Sequence, residues 1–141
     1  MAVRVRVEIR CRASGASVVT AALVNSGYEV EEPEILLPKR LAEYLGLELK
    51  PPRTRIEAYE TPLGIYHLLF TPRAVDVHLV DVSNIIEGVN VVVAEGEREV
   101  LISDKLAGAL QIQILDLARG LWRYKHDPPE LVRESVKPEY W

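Results

Sequence analysis

Ile35-Leu36-Leu37-Pro38-Lys39-Arg40-Leu41-Ala42-Glu43-Tyr44-Leu45-Gly46-Leu47-Glu48-Leu49 has a counterpart 65 positions later, Val100-Leu101-Ile102-Ser103-Asp104-Lys105-Leu106-Ala107-Gly108-Ala109-Leu110-Gln111-Ile112-Gln113-Ile114. The two stretches align without a gap. Leu36/Leu101, Leu41/Leu106, Ala42/Ala107 and Leu45/Leu110 are identical, and positions 35, 37, 47 and 49 are apolar in both. Each reads as strand, short helix, strand. In the first, Pro38 opens the helix where its missing N–H costs nothing. Leu41, Ala42 and Leu45 share a helical face, and Gly46 stands at the stop. In the second, Ser103 is the N-cap, Asp104 favours the positive helix end, and Leu106, Ala107 and Leu110 form the face. Chance sharing of a common pattern is one explanation of the match. A duplicated unit related by an internal pseudo-twofold is the sharper one.

Strands surround these units. Val3, Val5, Val7 and Ile9 alternate with Arg4, Arg6, Glu8 and Arg10, the period of a strand with one buried face. Ser14-Gly15-Ala16-Ser17 turns the chain into a second strand, 18–24. Asn25-Ser26-Gly27 breaks that run, with Gly27 expected at positive φ. Glu29, Glu31, Glu32 and Glu34 suit either a cation site or a docking surface for basic peptides, but the spacing matches no calcium loop, and the stretch reads first as a solvated acidic loop. After Pro51-Pro52, strands over 53–59 and 65–70 form a hairpin through Thr61-Pro62-Leu63-Gly64, a type I turn pattern. Val75, Val77 and Leu79 mark a separate strand, and 89–94 a central one. Further strands are read at 98–102, at Ile112 and Ile114, and at 121–124. The tail from Lys125 is charged and Pro-rich, with a short helix read over 129–136. Its aromatic residues either seal a dimer interface or fold back on the domain.

The chain has 141 residues, 17 Lys+Arg and 21 Asp+Glu, a net charge of −4. One domain with a real core is expected. The acidic balance argues against nucleic acid, which calls for a basic stripe. Apolar runs of about five residues are far short of the roughly 18 a membrane helix needs. No signal peptide is read, so the expected location is cytoplasmic. A single cysteine, Cys11, allows no internal disulfide. Two Gln and three Asn against 38 charged residues fit a thermophilic source. His67, His78 and His126 lack zinc-ligand spacing, so no metal or other cofactor is expected. Asp76 or Asp81 with His78 and Ser26 suggests a triad that spacing alone does not support.

Ala22-Leu23-Val24-Asn25-Ser26-Gly27, followed by Ile35-Leu36-Leu37-Pro38 and by Leu41-Ala42-Glu43-Tyr44-Leu45-Gly46-Leu47, resembles the retropepsin-like aspartic proteases. That family runs from apolar residues into Asp-Thr/Ser-Gly, then a loop, an apolar strand, and a helix closing on Leu-Gly. The resemblance covers about Val3 to Tyr124, leaving 125–141 as a tail. It implies an all-β, acid-protease closed-barrel domain with two short helices, and a hairpin flap at 56–70. Two residues depart from the pattern. Asn25 stands where the family has its catalytic Asp, and Ser103 where it usually has Gly.

The family chemistry uses two close carboxylates that share one proton, one acting as base on a water and the other as acid. A chain with one motif implies a homodimer with the site on its axis. The site residues implied are Asn25, Ser26 and Gly27 for catalysis, and Tyr28, Leu63, Gly64 and Ile65 for substrate. An amide neither takes nor gives a proton near neutrality, and losing acid–base catalysis costs about 10²–10⁴-fold. The expectation is an aspartic-peptidase scaffold that is inactive or very slow as written, with a polypeptide substrate or ligand. The alternative is a non-enzymatic peptide-binding or regulatory homodimer on the same fold. A third reading, without the family, is a small β-domain serving as an assembly subunit.

Overall fold

The computed structural model describes residues 2–141. In chain order the elements are β1 (Arg4–Cys11), β2 (Ser17–Val24), β3 (Glu34–Pro38), α1 (Lys39–Tyr44), β4 (Arg55–Thr61), β5 (Gly64–Leu79), β6 (Ile86–Ala94), β7 (Val100–Ile102), α2 (Asp104–Ala109), β8 (Ile112–Asp116), β9 (Leu121–Tyr124) and β10 (Arg133–Glu134). The main sheet runs β1-β2-β7-β3-β6-β5-β4, and β1 also pairs with β5. That last pairing closes a six-stranded mixed β-barrel. Strand β4 stays outside the ring, as the free arm of a hairpin with the first half of β5. Strands β8, β9 and β10 form a second, three-stranded sheet.

Alternation on β1 sends Val5, Val7, Ile9 and Cys11 into the barrel and leaves Arg6 and Arg10 outside. Strand β6 carries no such alternation because both of its faces are covered. Val89, Val91 and Val93 join the main core, while Val92 and Ala94 join a smaller apolar cluster with Leu36 and Phe70 beneath the hairpin.

The strand registers carry a pseudo-twofold. Leu36 lies opposite Leu101 in the antiparallel β3–β7 pair, and these two residues are equivalent at the 65-residue offset. Strand β2 runs parallel to β7 with Ala22, Leu23 and Val24 beside Val100, Leu101 and Ile102. Strand β6 runs parallel to β3 with Val91, Val92 and Val93 beside Ile35, Leu36 and Leu37. The β1–β5 pair closes the symmetry. A shift of 68 positions turns the partners Val7–Leu79 into Val75–Cys11, and Ile9 faces Val77 between them. The helix ends match as well. Gly46 and Gln111 are equivalent, and both are left-handed, at φ 73° and 61°. Glycine tolerates that conformation freely, whereas glutamine does not.

Four expectations need correction. No strand forms over 47–49 after α1, so the first repeat unit lacks the closing strand that its counterpart has in β8. Residues 64–79 form one strand and not two. Pro72 and Arg73, the latter at φ 48°, bend β5 and shift its register against β6 without ending it. The tail forms no helix over 129–136; Arg133–Glu134 instead pairs with Trp122 and Leu121 of β9. Gly27 does not adopt positive φ, as described below.

The tail returns to its own barrel. Val136 N donates to Arg4 O at 3.0 Å. The Glu139 carboxylate accepts from Ala21 N at 2.8 Å, just before β2 pairs with β7. Trp141 Nε1 donates to Thr20 Oγ1 at 3.1 Å, and its ring lies 6.0 Å from that of Tyr44.

Candidate functional site

Asn25 is the first residue after β2. Its N–H donates to Ile102 O at 3.1 Å, extending the β2–β7 pairing by one bond. Its Oδ1 accepts from Gly27 N at 3.0 Å, and its backbone oxygen accepts from Tyr28 N at 3.0 Å. This is an Asx turn, which an Asp at the same position would make equally well. Gly27 lies outside the positive-φ region and is exposed. A Cβ there would sit 3.4 Å from Asn25 Oδ1.

The loop that follows is clamped to the start of α2. Asp104 N donates to Tyr28 O at 2.9 Å, and Asp104 Oδ1 accepts from Val30 N at 3.1 Å. Ser103, fully buried, caps α2 by accepting from Leu106 N at 3.2 Å. The same hydroxyl donates to Glu34 O at 2.6 Å and accepts from Glu34 N at 3.2 Å. The expected cap is present, and it doubles as a cross-link to β3.

A groove of about 470 Å³ lies between this loop and the β4–β5 hairpin. Its base is apolar, made by Leu36, Leu68, Val92 and Leu101. Asn25, Gly27, Tyr28 and Glu29 line it from the loop. Tyr59, Glu60, Thr61 and Pro62 line it from the hairpin. Of the residues expected to touch substrate, Tyr28 lines the groove. Leu63, Gly64 and Ile65 form the hairpin tip and do not line it in the single chain. Leu63 is 86% and Ile65 63% exposed. Thr61 fixes the tip, its Oγ1 accepting from Leu63 N at 3.2 Å and donating to Gly64 O at 2.9 Å. Ser26 is exposed beside Asn25.

Glu34, read from the sequence as part of a solvated acidic loop, is placed otherwise by the structure. It is 4% exposed and not part of a solvated loop. Tyr28 OH donates to its carboxylate at 2.5 Å and Tyr59 OH at 3.4 Å, so it joins the loop to the hairpin. Burial raises its pKa above the ordinary carboxylate value, and the two phenol bonds oppose that shift. Burial, and then the nearby Glu34 charge, push both tyrosines well above the usual phenol range, so they remain neutral. A signal existed: Glu34 has the same strand parity as Leu36, which lines the groove.

The remaining candidates lie elsewhere. His78 approaches Glu8 at 3.7 Å. Glu8 pairs on its other side with Val19, well before Ser26 along β2. Asp76 is engaged by Gly88 N and Arg12. The structure therefore does not bring Ser26, His78 and Asp76 together. Among the described residues, no three His, Cys, Asp or Glu side chains gather into a metal site. A second cavity of about 320 Å³ is lined by Arg12, Arg53 and Arg73 and by none of the expected site residues.

No protein-family model matches the chain, and no curated protein matches it in sequence.

Proposed function

We propose that the chain is a retropepsin-like aspartic-peptidase scaffold that holds an extended polypeptide in the groove under the β4–β5 hairpin and, with Asn25 in the acid position, cleaves it very slowly or not at all. The observation that carries this reading is the placement of Asn25. It closes an Asx turn at the end of a barrel strand and lines an apolar-based groove beneath a hairpin. The barrel around it has the internal pseudo-twofold that the sequence repeat anticipated.

The pseudo-twofold also bears on assembly. Strand β2 maps onto β6 with Val24 on Val93, so the counterpart of Asn25 is Ala94, which has no polar side-chain atom. One chain therefore offers one such side chain. A two-sided site requires a second copy, and the proposal includes a homodimer. Hairpin tips carrying exposed Leu63 and Ile65 suit contact with a ligand or with that copy.

Each Asn25 retains the hydrogen-bonding shape of an acid without its proton chemistry. Oδ1 is held by Gly27 N, and Nδ2 makes no hydrogen bond to the described residues. An N–H donor there can hold a peptide carbonyl but cannot activate water. The Asn25→Asp chain is expected to gain cleavage of an unfolded protein. If that variant binds peptide without cutting, the non-enzymatic regulatory reading takes its place.

A further inference from the structure

We infer that the polypeptide taken by the groove carries a Lys or Arg side chain next to an apolar one. This rests on the reading of the groove as a polypeptide site and narrows it to a ligand class. The apolar half of the inference follows from the base, where half-buried Leu68 and Leu101 lie over buried Leu36 and Val92 and leave hydrophobic surface at the bottom of the cavity. An apolar side chain gains by covering such a surface.

The basic half follows from the walls. The charged residues that line the groove are Glu29 on the loop and Glu60 on the hairpin; no Lys, Arg or His among the described residues joins them. Glu34 stands behind Tyr28 and Tyr59 and adds a third carboxyl to the same wall. Glu57 also projects its charge on Glu34 from the hairpin, and its ion-pair partner is Arg55, at 2.5 Å. The two phenol hydrogens are spent on Glu34. What Tyr28 and Tyr59 can still offer a ligand is the oxygen lone pairs, which accept. The groove therefore combines negative charge with acceptors, in an acidic chain of net charge −4. An ammonium or guanidinium group is a pure donor of opposite sign and satisfies both. A carboxylate on the ligand would meet like charge and, Asn25 Nδ2 apart, few donors.

The test uses the full chain and three fluorescein-labelled decapeptides of one sequence. Their central residue, flanked by Leu and Val, is Lys, Gln or Glu. Binding is read by fluorescence anisotropy in about 0.02 M and about 0.3 M salt. The Lys peptide is expected to bind about 10-fold more tightly than the Gln peptide at low salt, the Glu peptide most weakly, with the spread shrinking at high salt. In the Glu29→Gln/Glu60→Gln double variant, whose changes lie at exposed positions, the Lys peptide should fall to the affinity of the Gln peptide. Equal binding of all three peptides overturns the charge inference and leaves the polypeptide reading standing. Binding of none of them overturns both.

Discussion

Replacing Ser103 by alanine removes one oxygen and three hydrogen bonds from a fully buried position. Two of these bonds have separate consequences. Loss of the bond from Leu106 N uncaps α2, which typically costs about 1 kcal/mol. Loss of the bond from Glu34 N leaves a buried strand donor unpaired, a penalty of about 1–3 kcal/mol. Glu34 O keeps a second donor, Ser103 N at 3.3 Å, and adds little to the cost. The total is about 2–4 kcal/mol. At a urea slope near 2 kcal/mol/M, the unfolding midpoint falls by about 1–2 M. Ser103→Gly loses the same three bonds, but glycine is better tolerated than alanine at an N-cap, so its loss should be milder by roughly 0.5–1 kcal/mol. Both variants are measured by urea unfolding at one protein concentration, since a dimer makes the midpoint concentration-dependent. A loss below about 0.5 kcal/mol for Ser103→Ala would show that the hydroxyl does not hold β3 to α2.

Three further outcomes follow from the packing. Glu34 has a raised folded pKa, so its contribution to stability is fullest below its ordinary value of 4.5 and declines as pH rises through the folded value. Glu34→Gln should therefore gain on the parent as pH rises above 4.5 in unfolding titrations, and a pH-independent difference would contradict this. Asp127 accepts a two-pronged bond from Arg133, at 2.8 and 2.9 Å, which lowers its pKa below 3.8. Asp127→Asn should cost about 1–3 kcal/mol at pH 7, and the deficit should vanish as pH falls through the depressed folded value. Trp141→Ala removes the indole bond to Thr20 and a half-buried ring; a loss of about 1–3 kcal/mol in thermal or urea unfolding checks the tail's docking.

Much of the barrel was legible because local signals and burial agree. The β1 alternation, the Ser103 cap and the Gly46 stop each follow from a rule acting over a few residues. The repeat of 35–46 in 100–111 added the long-range part, seen where Leu36 lies opposite Leu101, but 47–49 and 112–114 differ, because only the latter finds a partner strand, β9. Residues 71–73 misled because Pro and a left-handed Arg usually punctuate a strand, whereas here β1 and β6 hold both halves of β5 in place. The tail misled because its docking depends on partners more than a hundred positions away, Thr20 and Ala21. In the site, Asn25 was singled out because 22–27 resembles the retropepsin-like motif with Asn in place of Asp; its local pattern alone reads as a turn. Glu34 was hidden by neighbours: Glu31 and Glu32 are exposed, and only the pairing of β3 between β6 and β7 turns the next Glu inward.

The central claim is that this barrel is a peptidase scaffold held off by one amide. The most direct measurement is cleavage of an unfolded protein by the Asn25→Asp chain from acid to neutral pH, beside the chain as written. Intact mass on both samples would detect deamidation of Asn25, which would restore the acid unnoticed. The account predicts cleavage by the variant at least about 10²-fold faster than by the parent. If neither chain cuts while the variant remains folded and dimeric, the claim is contradicted.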